Sequence, residues 1–332
     1  MKVLSVGAGA VGGTVAARLR RAGADVRVFD TNDEHVARLC DPGLVVGGVD
    51  GGVTTPLDAS TRLPRDVPDI ILLAVRSRAT REATETIAGL VGPTTDVVSL
   101  QNGLNEDEIA RVVGADHTIG CVVGFGATWI EAGRIELDAI GDLTIGRLDG
   151  EIDDRLVAVG DLLGLAFGTR VTDNITGALW SKMLVNSMTV MGALSGMLTG
   201  ELLATPQRRA IVSEVIAEGA KVARAGGVGL LPIFGSVSPD ILDAAAWEPT
   251  MERVLERFGQ RFGAIRSVTW RDFEIGRPTE VDAVTGEIVR RGERSGVPTP
   301  LNAAVFAMLE QIEAGERSPA AGNLDQLLAL RQ

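Results

Sequence analysis

In Lys2-Val3-Leu4-Ser5-Val6-Gly7-Ala8-Gly9-Ala10-Val11-Gly12-Gly13 an apolar strand runs without slack into G-x-G-x-x-G, and a helix follows at once. That order of elements gives each glycine a task in holding a dinucleotide. Gly7 makes the tight turn, Gly9 lets the backbone approach a pyrophosphate, and Gly12 lets the helix pack on the strand. The helix N-terminus then faces the anion, so Gly7, Ala8, Gly9, Ala10, Val11 and Gly12 are the expected cofactor-binding run. The surroundings agree. Thr14 to Ala22 continues the helix, Gly23 ends it, and Asp25 to Phe29 reads as a second strand closing on Asp30.

Strands go on alternating with helices through the first half. Asp69 to Val75 and Asp96 to Leu100 are apolar runs of the kind buried in parallel sheets, each followed by helical spacing, at Thr80 to Leu90 and at Asn105 to Val113. Thr118 to Phe125, Arg134 to Leu137 and Leu143 to Ile145 read as further strands. Asp153 to Leu163 is helical and Gly168 to Thr172 extended. Beyond Ile175 the spacing is helical throughout: Ala178 to Met191, Pro206 to Ala225, Pro239 to Phe262, Glu280 to Ser295 and Leu301 to Ala314, with breaks at Gly226-Gly227, Gly276-Arg277-Pro278 and Gly296-Val297-Pro298. The expected architecture is an α/β nucleotide-binding domain over residues 1–172 and an all-α substrate and catalytic domain over 173–332.

Composition narrows the function. At 332 residues the chain suits two domains, and 45% hydrophobic against 23% charged residues gives it ample core. The net charge of −12 repels phosphate backbones and anionic lipid, so neither nucleic acid nor membrane is an expected partner. Cys40 and Cys121 have no metal-ligand spacing, no metal site is expected, and both cysteines read as small buried apolar residues. With a strand at residue 2 and no apolar run of roughly 18 residues, the expected location is the cytoplasm.

Reduction of a carbonyl beside a nicotinamide needs a proton donor at the oxygen. The two histidines stand elsewhere: His35 follows the second strand, near where an adenosine ribose would lie, and His117 precedes a strand. Of the lysines, Lys2, Lys182 and Lys221, the middle one stands out. In Trp180-Ser181-Lys182-Met183-Leu184-Val185-Asn186 it shares a helical face with Asn186, flanked by apolar side chains. A lysine in such a cleft becomes a usable general acid, whereas at an open helix surface it merely snorkels to solvent. Both readings stand on spacing alone.

The chain resembles the ketopantoate reductase (2-dehydropantoate 2-reductase) family over nearly its full length. The marks are Gly7-Ala8-Gly9-Ala10-Val11-Gly12-Gly13, the Gln101-Asn102-Gly103 loop, Trp180-Ser181-Lys182 with Asn186, and Pro278-Thr279-Glu280-Val281-Asp282 followed by Gly286 and by Gly296-Val297-Pro298-Thr299-Pro300. The resemblance implies a Rossmann domain joined to a helical one with the site in the cleft. It makes Lys182 the general acid, Glu280 its acidic companion, and Asn102 and Asn186 binders of cofactor or substrate. Read without it, Glu280 is an acidic residue at a helix start, where Thr279 and Asp282 make a capping-box pattern, and Asn102 is a turn residue at a strand end.

Three departures from the family pattern bear on the ligands. The family's second asparagine on the catalytic helix is Val190 here, beside Thr189. Its serine ahead of the aspartate matched by Asp272 is Val268, between Ser267 and Thr269. Its lysine after the third strand is Arg76, which keeps the charge and changes the geometry. The substrate-contacting positions expected are therefore Asn102, Asn186, Val190 and Val268. On the cofactor side, Asp30 stands where a carboxylate receives both hydroxyls of an adenosine ribose, and Thr31 replaces the arginine that receives a 2'-phosphate, so NADH is favoured while the family also admits NADPH. As alternatives, Asp30 is a turn former, and Arg27 or Arg38 reaches the phosphate. The expected activity is NAD(P)H-dependent reduction of a small 2-oxo acid or related carbonyl. An opine-type or β-hydroxyacid dehydrogenase and a non-catalytic nucleotide sensor are the rivals, and a homodimer is compatible with all of them.

Overall fold

The computed structural model describes residues 1–330, and the chain divides into two compact units, Met1–Ile175 and Thr176–Gln332. The first runs β1 (Lys2–Val6), α1 (Ala10–Arg21), β2 (Asp25–Phe29), α2 (Asp33–Arg38), β3 (Leu44–Gly48), β4 (Val53–Thr55), β5 (Asp58–Ser60), β6 (Ile70–Leu73), α3 (Thr80–Ile87), β7 (Asp96–Ser99), α4 (Glu106–Val113), β8 (Thr118–Val123), β9 (Gly126–Glu131), β10 (Arg134–Ala139), β11 (Leu143–Arg147), α5 (Asp154–Gly164) and β12 (Thr169–Val171).

Eight of these strands form one sheet in the order β12-β11-β8-β7-β6-β1-β2-β5. β1 lies at its heart, parallel to β2 on one side and to β6 on the other. The chain leaves β1 in one direction to reach β2 and in the other to reach β6 and β7, so the switch point where open α/β sheets bind ligands falls beside β1. The two-residue period of a strand sorts its side chains between two cores. Val3, Ile70 and Leu72 pack with α1 residues such as Val15 and Leu19, while Leu4, Val6, Ile71 and Leu73 pack with Ile87 and Ile109. Burial on both faces is why β6 reads as an unbroken apolar run.

A second sheet, β4-β3-β10-β9, is absent from the sequence reading except for β10. Its central pairing is parallel and distant in sequence, with Val45 opposite Arg134 and Val46 opposite Ile135. Cys40 departs from expectation too. It is exposed, its thiol donating to the Ala59 carbonyl at 3.3 Å, because the chain turns outward there before β3; Cys121 is buried in β8 as expected.

The second unit is helical: α6 (Ile175–Ser195, opening at the boundary), α7 (Thr199–Leu202), α8 (Pro206–Ala225), α9 (Trp247–Phe262), α10 (Val268–Glu274), α11 (Glu287–Ser295), α12 (Pro300–Glu313) and α13 (Ala321–Ala329). Leu184, Met188, Ile211, Val215, Met251 and Leu309 are among its core. One expected helix, Pro239 to Phe262, is shorter than its spacing suggests. Pro239–Ile241 is only a 3-10 turn capped by Ser238, and α9 starts at Trp247. Ahead of α11 the chain winds into a wide turn over Asp282–Gly286. The capping box expected of Thr279 and Asp282 is not formed: the Thr279 hydroxyl donates to Glu313, and Asp282 pairs with Arg290. Past the Pro298-Thr299-Pro300 break, the first turn of α12 is anchored instead by Glu218, which accepts from the N–H groups of Leu301 and Asn302 at 3.0 and 2.9 Å.

Candidate active site

The glycine loop has the geometry its spacing predicts. Gly7 sits at φ +89°, and a side chain there would press on the backbone of Ala74 and Val75 at 3.1 Å, so the loop lies directly against the end of β6. A Cβ on Gly12 would overlap the Gly7 carbonyl and come within 2.6 Å of Ala74 Cβ. Around Gly9 the space is open, with nothing within 4 Å of a Cβ. Helix α1 starts at that open point with no side-chain cap and no acidic residue in its first turn. The N–H groups of Ala10, Val11 and Gly12 thus have no intrahelical partner, which is an anion cradle of the kind a pyrophosphate fits.

These two glycines separate folding from binding. Gly12→Ala is expected to destabilise the protein by about 1 to 3 kcal/mol through overpacking. Gly9→Ala should leave the melting temperature unchanged and raise KM for NAD(P)H about fivefold, the value of roughly one lost hydrogen bond. Thermal melts and cofactor kinetics on the pair check this; equal loss of stability in both would contradict it.

Three further segments meet this loop at the carboxyl ends of the parallel strands. Asp30, half-buried at the end of β2, accepts from Ala8 N–H at 2.8 Å and from Asn32 N–H at 2.9 Å. It is a turn former and a loop clamp together, and it sets a carboxylate beside the cradle, with Thr31 exposed next to it. After β6 and β7, Arg76 and Asn102 are both half-buried, and their loops are tied to each other. Ser77 Oγ and Asn105 Nδ2 both donate to the Asn102 carbonyl at 2.7 Å, and Gln101 Nε2 donates to the Val75 carbonyl at 2.9 Å. Thr80 Oγ1, donating to the Ser77 carbonyl at 2.7 Å, closes the knot.

Beneath the Asn102 loop lies a residue that the sequence reading passed over. Glu106, in the first turn of α4, is 4% exposed. Burial pushes its carboxyl up to about 7, against the pull of backbone N–H groups at the helix start. Because the folded value lies above the ordinary 4.5, the folded protein keeps this proton while the unfolded chain loses it. The associated stability is fully present below pH 4.5 and is lost as pH rises through about 7, a total of about 3 kcal/mol. Glu106→Gln, neutral at every pH, should therefore gain on wild type by that amount between pH 4.5 and pH 8 in denaturant unfolding. A difference that does not change with pH would refute it.

In the second unit, α6 is buried nearly all round, with Trp180, Met183, Leu184, Ser187, Met188 and Met191 all within 2% exposure. Lys182, Val185, Asn186 and Thr189 make up a half-exposed stripe along it. Lys182 is therefore half-buried, beside the buried apolar residues of its own helix. Ser181, next to it, donates to the Leu231 carbonyl at 2.8 Å, and Arg291 stacks over Trp180 at 5.7 Å, which fix the helix rotation. Glu280 is half-buried just before the wide turn, following a Thr279 that is 2% exposed.

The two valines part company. Val190, at 3% exposure, belongs to the helical core, so its side chain is not placed to touch a substrate; Val268, at 63%, opens α10 on the surface. The neighbouring hydroxyls have other work, Thr189 donating to the Asn186 carbonyl at 2.9 Å and Ser267 accepting from Trp270 N–H at 3.1 Å as the α10 cap. No cluster of metal-ligating side chains occurs among the described residues, and no helix among them is long and apolar enough to cross a membrane.

Residues 3–150 match the model of Ketopantoate reductase PanE/ApbA, and residues 174–313 match its C-terminal counterpart. The chain belongs to the ketopantoate reductase family. A 2-dehydropantoate 2-reductase of Pyrococcus abyssi is 29% identical over 319 residues, covering 95% of this chain and 99% of the relative. Among solved structures, a PanE/ApbA family ketopantoate reductase from Ralstonia eutropha JMP134 superposes with a TM-score of 0.82 at 26% identity, covering 95% of this chain and 99% of that one. A D-mandelate dehydrogenase solved with NADH and anilino(oxo)acetate shares the fold, with a TM-score of 0.83 at 23% identity over 96% and 100% of the two chains. As a member of the ketopantoate reductase family, this protein is an NAD(P)H-dependent oxidoreductase acting on a ketone.

Proposed function

We propose that this ketopantoate reductase relative reduces the keto group of a small 2-oxo acid, with NADH preferred over NADPH and Lys182 as the proton donor. The observation that carries the reading is Lys182 on the half-exposed stripe of an otherwise buried helix, one turn from Asn186. The nicotinamide, when bound, supplies hydride to the carbonyl carbon. Lys182 Nζ–H donates to the carbonyl oxygen as charge develops there, so the ketone becomes an alcohol and the lysine recovers its proton from solvent. Asn186 orients the substrate from the same stripe, and Glu280 serves as the acidic companion of the lysine. In the first unit, Gly7 to Gly12 hold the pyrophosphate, Asp30 receives the ribose hydroxyls, and Arg76 and Asn102 bind from the two loops that Ser77 and Asn105 join.

Ketopantoate is the leading substrate, with two polar contacts fewer than the family pattern gives it, at Val190 and Val268. Val190 fills the core, which leaves Val268 as the exposed replacement. A neutral hydrogen bond is worth about 1 kcal/mol, so Val268→Ser should raise kcat/KM for ketopantoate about fivefold. The test is NADH and NADPH oxidation against ketopantoate and a panel of 2-oxo acids of increasing apolar bulk, with and without amines. Turnover of 2-oxo acids without amine is the expected result. Turnover only when an amine is present would replace the proposal with imine reduction, and none with any carbonyl would end it.

A further inference from the structure

Ala8, in the middle of the glycine loop, is held at both its polar groups by side chains that follow β2. Its N–H donates to Asp30 Oδ2 at 2.8 Å, and its carbonyl receives His35 Nε2 at 2.8 Å. His35 is 2% exposed, and its other ring nitrogen, Nδ1, accepts from Gly133 N–H at 2.9 Å, in the turn between β9 and β10. A ring nitrogen that accepts an N–H carries no proton, so the imidazole is neutral with its hydrogen on Nε2, pointed at Ala8. The ring edge also meets Trp129 of β9, with centroids 6.3 Å apart at 66°.

What this fixes follows from the peptide bond. Because the bond is planar and trans, holding the Ala8 carbonyl also sets the direction of the Gly9 N–H, on the side away from His35. Likewise, holding the Ala8 N–H sets the Gly7 carbonyl. A loop with glycines on both sides of Ala8 would otherwise lose much conformational freedom on binding a ligand. A separate contact makes the same connection to the second sheet. A Cβ on Gly13 would lie 2.7 Å from Ile135 Cδ1 in β10 and 3.2 Å from Leu44 Cδ2 in β3, so the first turn of α1 rests on that sheet with no room for a side chain.

We propose that His35 is a positioning residue for the dinucleotide loop, and that the four-stranded sheet is the plate against which it pins that loop. The inference rests on the reading that Gly7 to Gly12 hold the cofactor. It gives a function to the sheet inserted between the strands of the main one, and to a histidine that touches neither reacting group.

The test uses the full-length protein with NADH, measuring affinity by fluorescence titration, kcat at saturating NADH, and thermal melting for His35→Phe, His35→Gln and Gly9→Ala. His35→Phe keeps the ring shape and removes both hydrogen bonds; it should weaken NADH about tenfold while kcat stays within about twofold. His35→Gln, whose amide can still donate to Ala8, should recover most of that affinity, a rescue that a purely structural role does not predict. If His35→Phe does not fold, His35→Asn, polar and too short to reach Ala8, replaces it with the same expectation. Wild-type affinity in the His35 variants with weakened binding in Gly9→Ala would overturn the role of His35 and leave the loop reading standing. Wild-type affinity in all of them would overturn both.

Discussion

Lys182→Ala is expected to lower kcat by about a hundred- to ten-thousandfold, the usual contribution of a positioned general acid, with the affinity for NAD(P)H little changed. The split follows from where the residues stand. The glycine loop, Asp30, Arg76 and Asn102 all belong to the first unit, whereas Lys182 lies on the α6 stripe of the second. Its removal also takes little from the core, because it is half-exposed while the helix around it is buried. Pre-steady-state and steady-state kinetics on the purified variant measure both quantities. Turnover near that of wild type on the true substrate would take Lys182 out of the reaction.

The second large effect concerns the nucleotide. Wild type should favour NADH in kcat/KM, because a 2'-phosphate would meet the Asp30 carboxylate with no cation at position 31. Replacing Asp30 by alanine would confuse the result, since Asp30 also holds Ala8 N–H and Asn32 N–H. Asp30→Asn with Thr31→Arg is the cleaner change, because the amide oxygen still accepts from Ala8 while the charge is gone. A charge-assisted hydrogen bond to phosphate is worth about 1.5 to 3 kcal/mol, so preference should move toward NADPH by roughly ten- to a hundredfold. A wild type that already prefers NADPH would refute the argument from Asp30.

How much of this was legible in the sequence depended on whether the signal was local. The β1–α1–β2 unit declares itself because strand, glycines and helix are contiguous, and the doubly buried β6 because both its faces are apolar. The second sheet is silent for the opposite reason. β3 finds β10 across a long span of chain, and Gly47, Gly48, Gly51 and Gly52 interrupt the alternation that marks a strand. Within the site, helical spacing placed Lys182 and Asn186 together, but a further step of four does not stay on the face. At 3.6 residues per turn Val190 has rotated roughly 80° from Lys182 and enters the core, whereas Thr189 remains on the stripe. Glu106 reads in Asn105-Glu106-Asp107-Glu108 as one of several acids at a helix start; only tertiary packing shows which of them loses its water. The role of His35 is not legible in the sequence, because its partners, Ala8 and Gly133, lie on opposite sides of it in the chain.

The most direct test of the account is chemical rescue of Lys182→Ala by small primary amines at saturating NADH and 2-oxo acid. If Lys182 delivers the proton, an amine diffusing into the space it vacates should restore the rate about tenfold or more, in a manner that depends on the basicity of the amine and with no change in NADH affinity. A rate indifferent to every amine, in a variant that still binds both ligands, would contradict it.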